Sequence, residues 1–203
     1  MNELNEVKIR KPIEIAKSNF KCDDIISNDI PNPLPGSDCG WFRMAIIGKS
    51  GCGKTNLLRA LTEKSGKNKI YFKQFSNVFY ISPSIKSMHP APKLDPNNFY
   101  TSINDLPEII NRIQTEQDKD GRTLIIMDDV SHEINKSNMQ FIKQLYQNNR
   151  HLGRPLLDED GNQIESGSVS TIIISQRLNN LPRNIRSQIS HWCIFDSTHT
   201  KSE

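Results

Sequence analysis

The chain has 203 residues, of which 35% are hydrophobic and 24% charged, with a net charge of +3; this is enough for one sizeable domain with appendages and has the balance of a water-facing protein. No apolar run approaches the roughly 18 residues that cross a bilayer, and Met1-Asn2-Glu3-Leu4-Asn5-Glu6 lacks the apolar core of a secretory signal, so neither membrane insertion nor secretion is expected. The charge is uneven: residues 41–100 hold ten Lys/Arg against two acids and residues 101–130 hold three against seven, which suits a polyanion partner and equally a solvated surface.

In chain order, residues 1–40 read as an N-terminal extension or arm. The run Ile30-Pro31-Asn32-Pro33-Leu34-Pro35-Gly36 excludes helix and central strand there. Residues 41–203 read as one domain. Phe42–Ile47 is a strand-length apolar run, and residues 48–55, Gly-Lys-Ser-Gly-Cys-Gly-Lys-Thr, fit G-x-x-x-x-G-K-[ST] in full. A helix follows to about Lys64, with Leu57, Leu58 and Leu61 on one face. Asn77–Ser82 is the second strand. A Pro-rich connection spans Pro90–Pro96, and Asn104–Gln117 is a helix with Leu106, Ile109, Ile110 and Ile113 at helical spacing. Thr123–Asp129 is the third strand, Lys136–Asn149 a helix, Ser170–Ser175 the fourth strand and Trp192–Phe195 a fifth. Asp160-Gly161 between short apolar flanks predicts a hairpin turn inside an insertion of about residues 155–169. Strands that are continuously apolar are buried on both faces, and their alternation with helices predicts an α/β fold. The sheet is expected to be mainly parallel and central, flanked by helices, of the P-loop NTPase type.

Each position of the 48–55 loop has a physical task. Gly48, Lys49, Ser50, Gly51, Cys52 and Gly53 turn the backbone so that successive N–H groups point inward at a phosphate chain. Lys54 supplies a fixed positive charge for the β- and γ-phosphates, and Thr55 a hydroxyl for Mg²⁺. The helix N-terminus adds its partial positive charge. ATP and Mg²⁺ are therefore the expected ligands. The third strand ends in Asp128-Asp129, an apolar run closed by acids at the carboxyl end of a parallel strand, where ligands bind. Asp128 is assigned to the metal shell and Asp129 to the attacking water. The fourth strand ends in Ser175-Gln176-Arg177, and Gln176 is placed to sense the γ-phosphate. Cys22, Cys39, Cys52 and Cys193 form no C-x-x-C pair and no zinc spacing, which fits free thiols.

These pieces stand in a fixed order. The loop 48–55 is followed by Ile125-Ile126-Met127-Asp128-Asp129, Asn149-Arg150-His151, Ile172-Ile173-Ile174-Ser175-Gln176-Arg177 and Leu181-Pro182-Arg183-Asn184-Ile185-Arg186. In this order the chain resembles the FtsK/HerA superfamily of DNA-pumping P-loop ATPases, over about residues 41–195. Within it the chain looks most like the poxvirus-type genome-packaging ATPases of large double-stranded DNA viruses and virophages. The resemblance implies a RecA/FtsK–HerA-like core and a homo-oligomeric ring around double-stranded DNA, with ATP hydrolysis driving the DNA into a capsid. It also implies a capsid or portal protein as a further partner, and a place in the host cytoplasm at the virus factory and in the virion. In such rings an arginine of one subunit completes the neighbour's site; Arg150 matches by motif position, with Arg154 and Arg186 as alternatives. Many relatives carry Glu where this chain has Asp129. Two other functions use the same loop. One is a P-loop nucleoside or small-molecule kinase, with Arg183 and Arg186 in a lid. The other is a nucleotide-gated assembly protein that binds ATP without turnover.

Overall fold

The structure is a computed structural model that describes residues 41–62, 71, 74–87, 94–115, 122–153, 156–165 and 168–195. The extension 1–40, Arg154 and the basic positions Lys64, Lys67, Lys69 and Lys73 lie outside the described residues.

Among the described residues, six strands form one sheet. They are β1 (Arg43–Ile47), β2 (Asn77–Ile81), β3 (Phe99–Tyr100), β4 (Thr123–Asp128), β7 (Val169–Ser175) and β8 (His191–Ile194), in the order β3-β2-β4-β7-β1-β8. Every pairing within this sheet is parallel, as the continuous apolar runs predict. A separate antiparallel hairpin is made by β5 (Leu156–Leu157) and β6 (Gln163–Glu165). Its turn is closed by the Asp158 carboxylate, which accepts from the N–H groups of Asp160 and Asn162, and Gly161 adopts φ 82°.

The sheet is covered on both faces, and the period of two along each strand divides the side chains between them. Ala45, Ile47, Phe79, Ile81, Ile125, Met127 and Ile173 face one core, shared with α2 (Leu106–Thr115), α3 (Met139–Gln147) and Ile185 of the short α4 (Arg183–Arg186). Met44, Ile46, Tyr80, Leu124, Ile126, Ile172 and Ile174 face the other, shared with Leu58 and Leu61 of α1 (Lys54–Thr62). All of β4 and β7 is buried.

Several boundaries differ from the sequence pattern, each for a local reason. Before α2, residues 103–105 form a 3₁₀ turn in which Ser102 and Asp105 cap each other reciprocally, so the α-helix proper starts at Leu106. α3 starts three residues later than the apolar period suggests. Asn135 and Asn138 instead lock the preceding turn through their side chains, with Asn138 donating to the Glu133 carbonyl, the competition expected of Asn near helix starts. Two elements were not anticipated: the two-residue β3, which follows the Pro-rich connection, and α4, one turn long.

Candidate functional site

β7 lies between β4 and β1, so its carboxyl end separates the glycine loop that follows β1 from the acids that end β4. Both neighbours are tied to it. Gly48 N–H donates to the Ser175 carbonyl at 3.2 Å, and Asp129 N–H donates to the Ile174 carbonyl at 3.2 Å. The result is a cavity of about 350 Å³ lined by Ser50, Gly51, Gly53, Lys54, Thr55, Asn56, Ser82, Ser84, Asp128, Asp129, Ile174 and Gln176. Lys54, Thr55, Asp128, Asp129 and Gln176, read separately from sequence, thus converge on one crevice at the carboxyl ends of the parallel strands, the general ligand position of such sheets.

The loop has the geometry of a phosphate cradle. Gly51 and Gly53 adopt φ 78° and 99°, a region that side chains with a Cβ rarely enter. Gly48 is required for a different reason: a Cβ there would stand 2.6 Å from Cys52 Sγ and 2.7 Å from Phe195 Cβ. The Lys54 ammonium is fixed inside the loop, donating to the carbonyls of Gly48 at 2.7 Å and Lys49 at 2.8 Å. Leu57 N–H bonds the Gly53 carbonyl, so the helix starts directly from the cradle.

Asp128 is buried, and Tyr80 Oη donates to its Oδ2 at 2.8 Å. Burial pushes its carboxyl above the usual range, helped by the Asp129 charge and opposed by the Tyr80 hydrogen bond and the Lys54 ammonium. Asp129 has a positive φ of 57°, alone among the described non-glycine residues. That turn accompanies a carboxylate near Gln176, whose Nε2 approaches Oδ2 at 3.3 Å and Oδ1 at 3.5 Å. Gln176 leaves a strand end held by Ser175, whose hydroxyl meets Ser131 Oγ at 3.3 Å and the Arg177 carbonyl at 3.1 Å.

A Mg²⁺ site fits these residues. Thr55 and Asp128 offer hard oxygens to one cavity, and among the described residues no group of three or more His, Cys, Asp or Glu could build a cage without phosphate; Mg²⁺ is commonly held by one or two protein oxygens plus substrate phosphates.

Tyr80, Ser82 and Ser84 were missed from sequence. Ser82 follows β2 as Asp129 follows β4, and its Oγ accepts from Ser84 N–H at 3.2 Å. The available signal was a polar residue at the carboxyl end of a neighbouring parallel strand, but the adjacency of β2 and β4 is a property of the fold. One expected result tests Tyr80. A carboxylate holds a metal in its ionised form, so a metal held by Asp128 would be released as pH falls through this raised pKa. Tyr80→Phe removes a bond that favours the ionised form. The acid limb of Mg²⁺-dependent nucleotide binding should therefore move to higher pH in this variant. An unchanged limb would separate Tyr80 from Asp128.

Arg150 lies elsewhere. It sits exposed in the 3₁₀ turn Asn149–His151 after α3, and Asn149 Nδ2 ties that turn to the Val169 carbonyl at the start of β7. Its guanidinium carbon is 4.7 Å from the centroid of the Trp41 ring, and that of Arg43 is also at 4.7 Å. From Val169 to Ser175, β7 runs about 20 Å, so Arg150 and the cavity occupy opposite ends of the sheet. Arg186 is on α4 and does not line the cavity, and its Nε is buried without a hydrogen-bond partner.

Residues 39–203 match the model of a family described as Poxvirus A32 protein. Comparison with curated proteins gives no match. Among solved structures, a Thermotoga maritima RuvB variant is similar at 15% identity and TM-score 0.43, over 76% of this chain and 38% of that chain. A chain of the E. coli MS115-1 HORMA:CdnC:Trip13 complex is similar at 12% identity and TM-score 0.45, over 79% of this chain and 50% of that one. The FIGL-1 AAA domain in complex with ADP is similar at 14% identity and TM-score 0.38, over 75% and 42%. The chain therefore spans less than two thirds of each of these proteins.

Proposed function

The chain belongs to the Poxvirus A32 protein family, and from that premise we propose that it is a P-loop ATPase working as one subunit of a ring that hydrolyses Mg-ATP and drives double-stranded DNA into a viral capsid. The observation that carries the site reading is the convergence of Lys54, Thr55, Asp128, Asp129 and Gln176 on one cavity.

In this reading the loop amides of residues 48–53 and the Lys54 ammonium hold the β- and γ-phosphates. Thr55 and Asp128 hold Mg²⁺, which neutralises phosphate charge when bound. Asp129 orients the attacking water and accepts its proton. Gln176, within reach of the Asp129 carboxylate, reads the presence of the γ-phosphate and passes its loss to β7. Arg150 acts on the neighbouring subunit's site. Duplex phosphates meet the basic stretch that includes Lys64, Lys67, Lys69 and Lys73, and a capsid or portal protein anchors the ring. Among the described residues no helix is long and apolar enough to cross a membrane.

The test is ATP hydrolysis with and without duplex DNA, with the particle mass followed by light scattering. DNA-stimulated turnover by an oligomer is expected. Turnover stimulated by a small acceptor and not by DNA would mark a kinase, and ATP binding without turnover a nucleotide-gated scaffold. DNA affinity should be independent of sequence and fall with salt; a protein with several phosphate contacts loses about 10³–10⁵ in affinity between 50 and 200 mM. Salt-insensitive binding in a titration would count against translocation along the phosphates.

A further inference from the structure

Four large apolar side chains stand exposed among the described residues: Leu157 at 51%, Leu178 at 40%, Trp192 at 38% and Ile194 at 69%. They fall into two places. Trp192 and Ile194 are on β8, the edge of the sheet, and their register partners Ala45 and Ile47 put them on the face shared with α2 and α3. Leu178 lies beside Trp192. Together with Arg183, Arg186 and Ser187 of the α4 segment, Trp192 and Leu178 line an open groove of about 400 Å³. This is an apolar floor beside two guanidiniums, and Arg186 Nε has no hydrogen-bond partner.

The remaining one, Leu157, leads into the turn of the β5–β6 hairpin. Asp158, Glu159 and Asp160 follow it and are all exposed. The turn is rigid: Asp158 accepts from Asp160 N–H at 3.0 Å, Asn162 N–H at 2.7 Å and Asn162 Nδ2 at 3.1 Å. The bonds from Asn162 also hold the Asp158 carboxyl below its ordinary range, and the turn carries three acidic side chains, Asp158, Glu159 and Asp160. A pre-ordered apolar and acidic turn therefore stands on one part of the chain and an apolar and basic groove on another.

We propose that the hairpin turn of one copy, Leu157 with Glu159 and Asp160, seats in the Leu178–Arg183–Trp192 groove of the next copy. The two surfaces are complementary to each other and not to themselves, which makes the contact heterologous, the kind that forms a ring when the rotation between copies closes. They lie at separate places in the fold. The hairpin lies between the end of α3 and the start of β7, at the same end of the sheet as Arg150. The groove flanks β8, which leads into Phe195, the side chain packed against the glycine loop. The inference rests on the ring reading above and names its surfaces.

The test uses charge reversal in the full chain, followed by light scattering with a non-hydrolysable ATP analogue and duplex DNA. Glu159→Lys with Asp160→Lys forms one variant and Arg183→Glu the other. All three positions are exposed, and circular dichroism checks folding. Each variant alone should assemble at least about tenfold more weakly than the unaltered protein. An equimolar mixture should regain assembly, because reversed hairpin meets reversed groove and the unaltered pair also remains. Leu157→Ser is the uncharged second variant and should weaken assembly in the same direction. Variants that assemble normally, or a mixture with no recovery, overturn the proposed contact while leaving a ring intact. If Arg183→Glu weakens DNA binding and not assembly, the groove belongs to nucleic acid and the contact is overturned. An unaltered protein that stays monomeric under all these conditions overturns both the contact and the ring.

Discussion

Asp129→Asn should bind ATP at close to the original affinity and hydrolyse it about 10²–10⁴-fold more slowly, the usual scale for removing a general base. The substitution is conformationally clean. Residue 129 has φ 57°, and Asn enters the left-handed region at least as readily as Asp. The amide keeps the size of the carboxylate and can still meet Gln176, but it cannot take a proton. Binding measured with a fluorescent nucleotide and turnover measured by phosphate release separate the two effects. Turnover at the original rate would remove Asp129 from the water-activating role. Asp128→Asn should behave differently, weakening the Mg²⁺ dependence of binding, because this buried carboxylate faces Lys54 and Tyr80 in the crevice.

Arg150→Ala should bind ATP normally and be inactive alone, with a loss on the scale of about 10³–10⁵ known for arginine fingers generally. The argument is positional. Asn149 anchors the Arg150 turn to the amino end of β7, whereas the cavity is at the carboxyl end, so its own phosphates are out of range. The Trp41 ring at 4.7 Å holds the guanidinium in place at the surface, which limits the conformational entropy it would lose on docking. Lys54→Ala should be inactive for the opposite reason, having lost the fixed cation of the loop. Mixing the two inactive proteins should restore some ATPase activity, since an intact loop then meets an intact arginine from its neighbour. Mixed assemblies of known composition that stay inactive would exclude Arg150 from acting in trans.

The parts of the site that are contiguous in the chain were legible in the sequence. The glycine loop, the Asp128-Asp129 strand end and the Ser175-Gln176 strand end each stand out within a few residues, and apolar runs such as Leu124–Met127 mark strands buried on both faces. What depends on strand order was not legible. Tyr80 acts on Asp128 only because β2 and β4 are neighbours. The meeting of Gln176 with Asp129 needs β7 beside β4 and a left-handed backbone at residue 129, and no local pattern announces either. Short elements escaped for a different reason. β3 and α4 span two and four residues, about one period of the pattern that would reveal them and too short for it to repeat, and the sheet and Ile185 packing hold them in place. The stacking of Arg43 and Arg150 on Trp41 likewise joins positions that only the fold brings together.

Gly48 illustrates how far apart in the chain a single constraint can be written. The positive φ that explains Gly51 and Gly53 is not what restricts it. The space a methyl would need is already taken by Cys52 Sγ and by Phe195 at the end of the edge strand. Positions 48, 52 and 195 therefore share one volume. Over evolutionary time they are expected to drift together, with a larger residue at 48 tolerated only in lineages that have trimmed 195 or 52, so a part of the motif that looks purely local is inherited jointly with the far end of the domain.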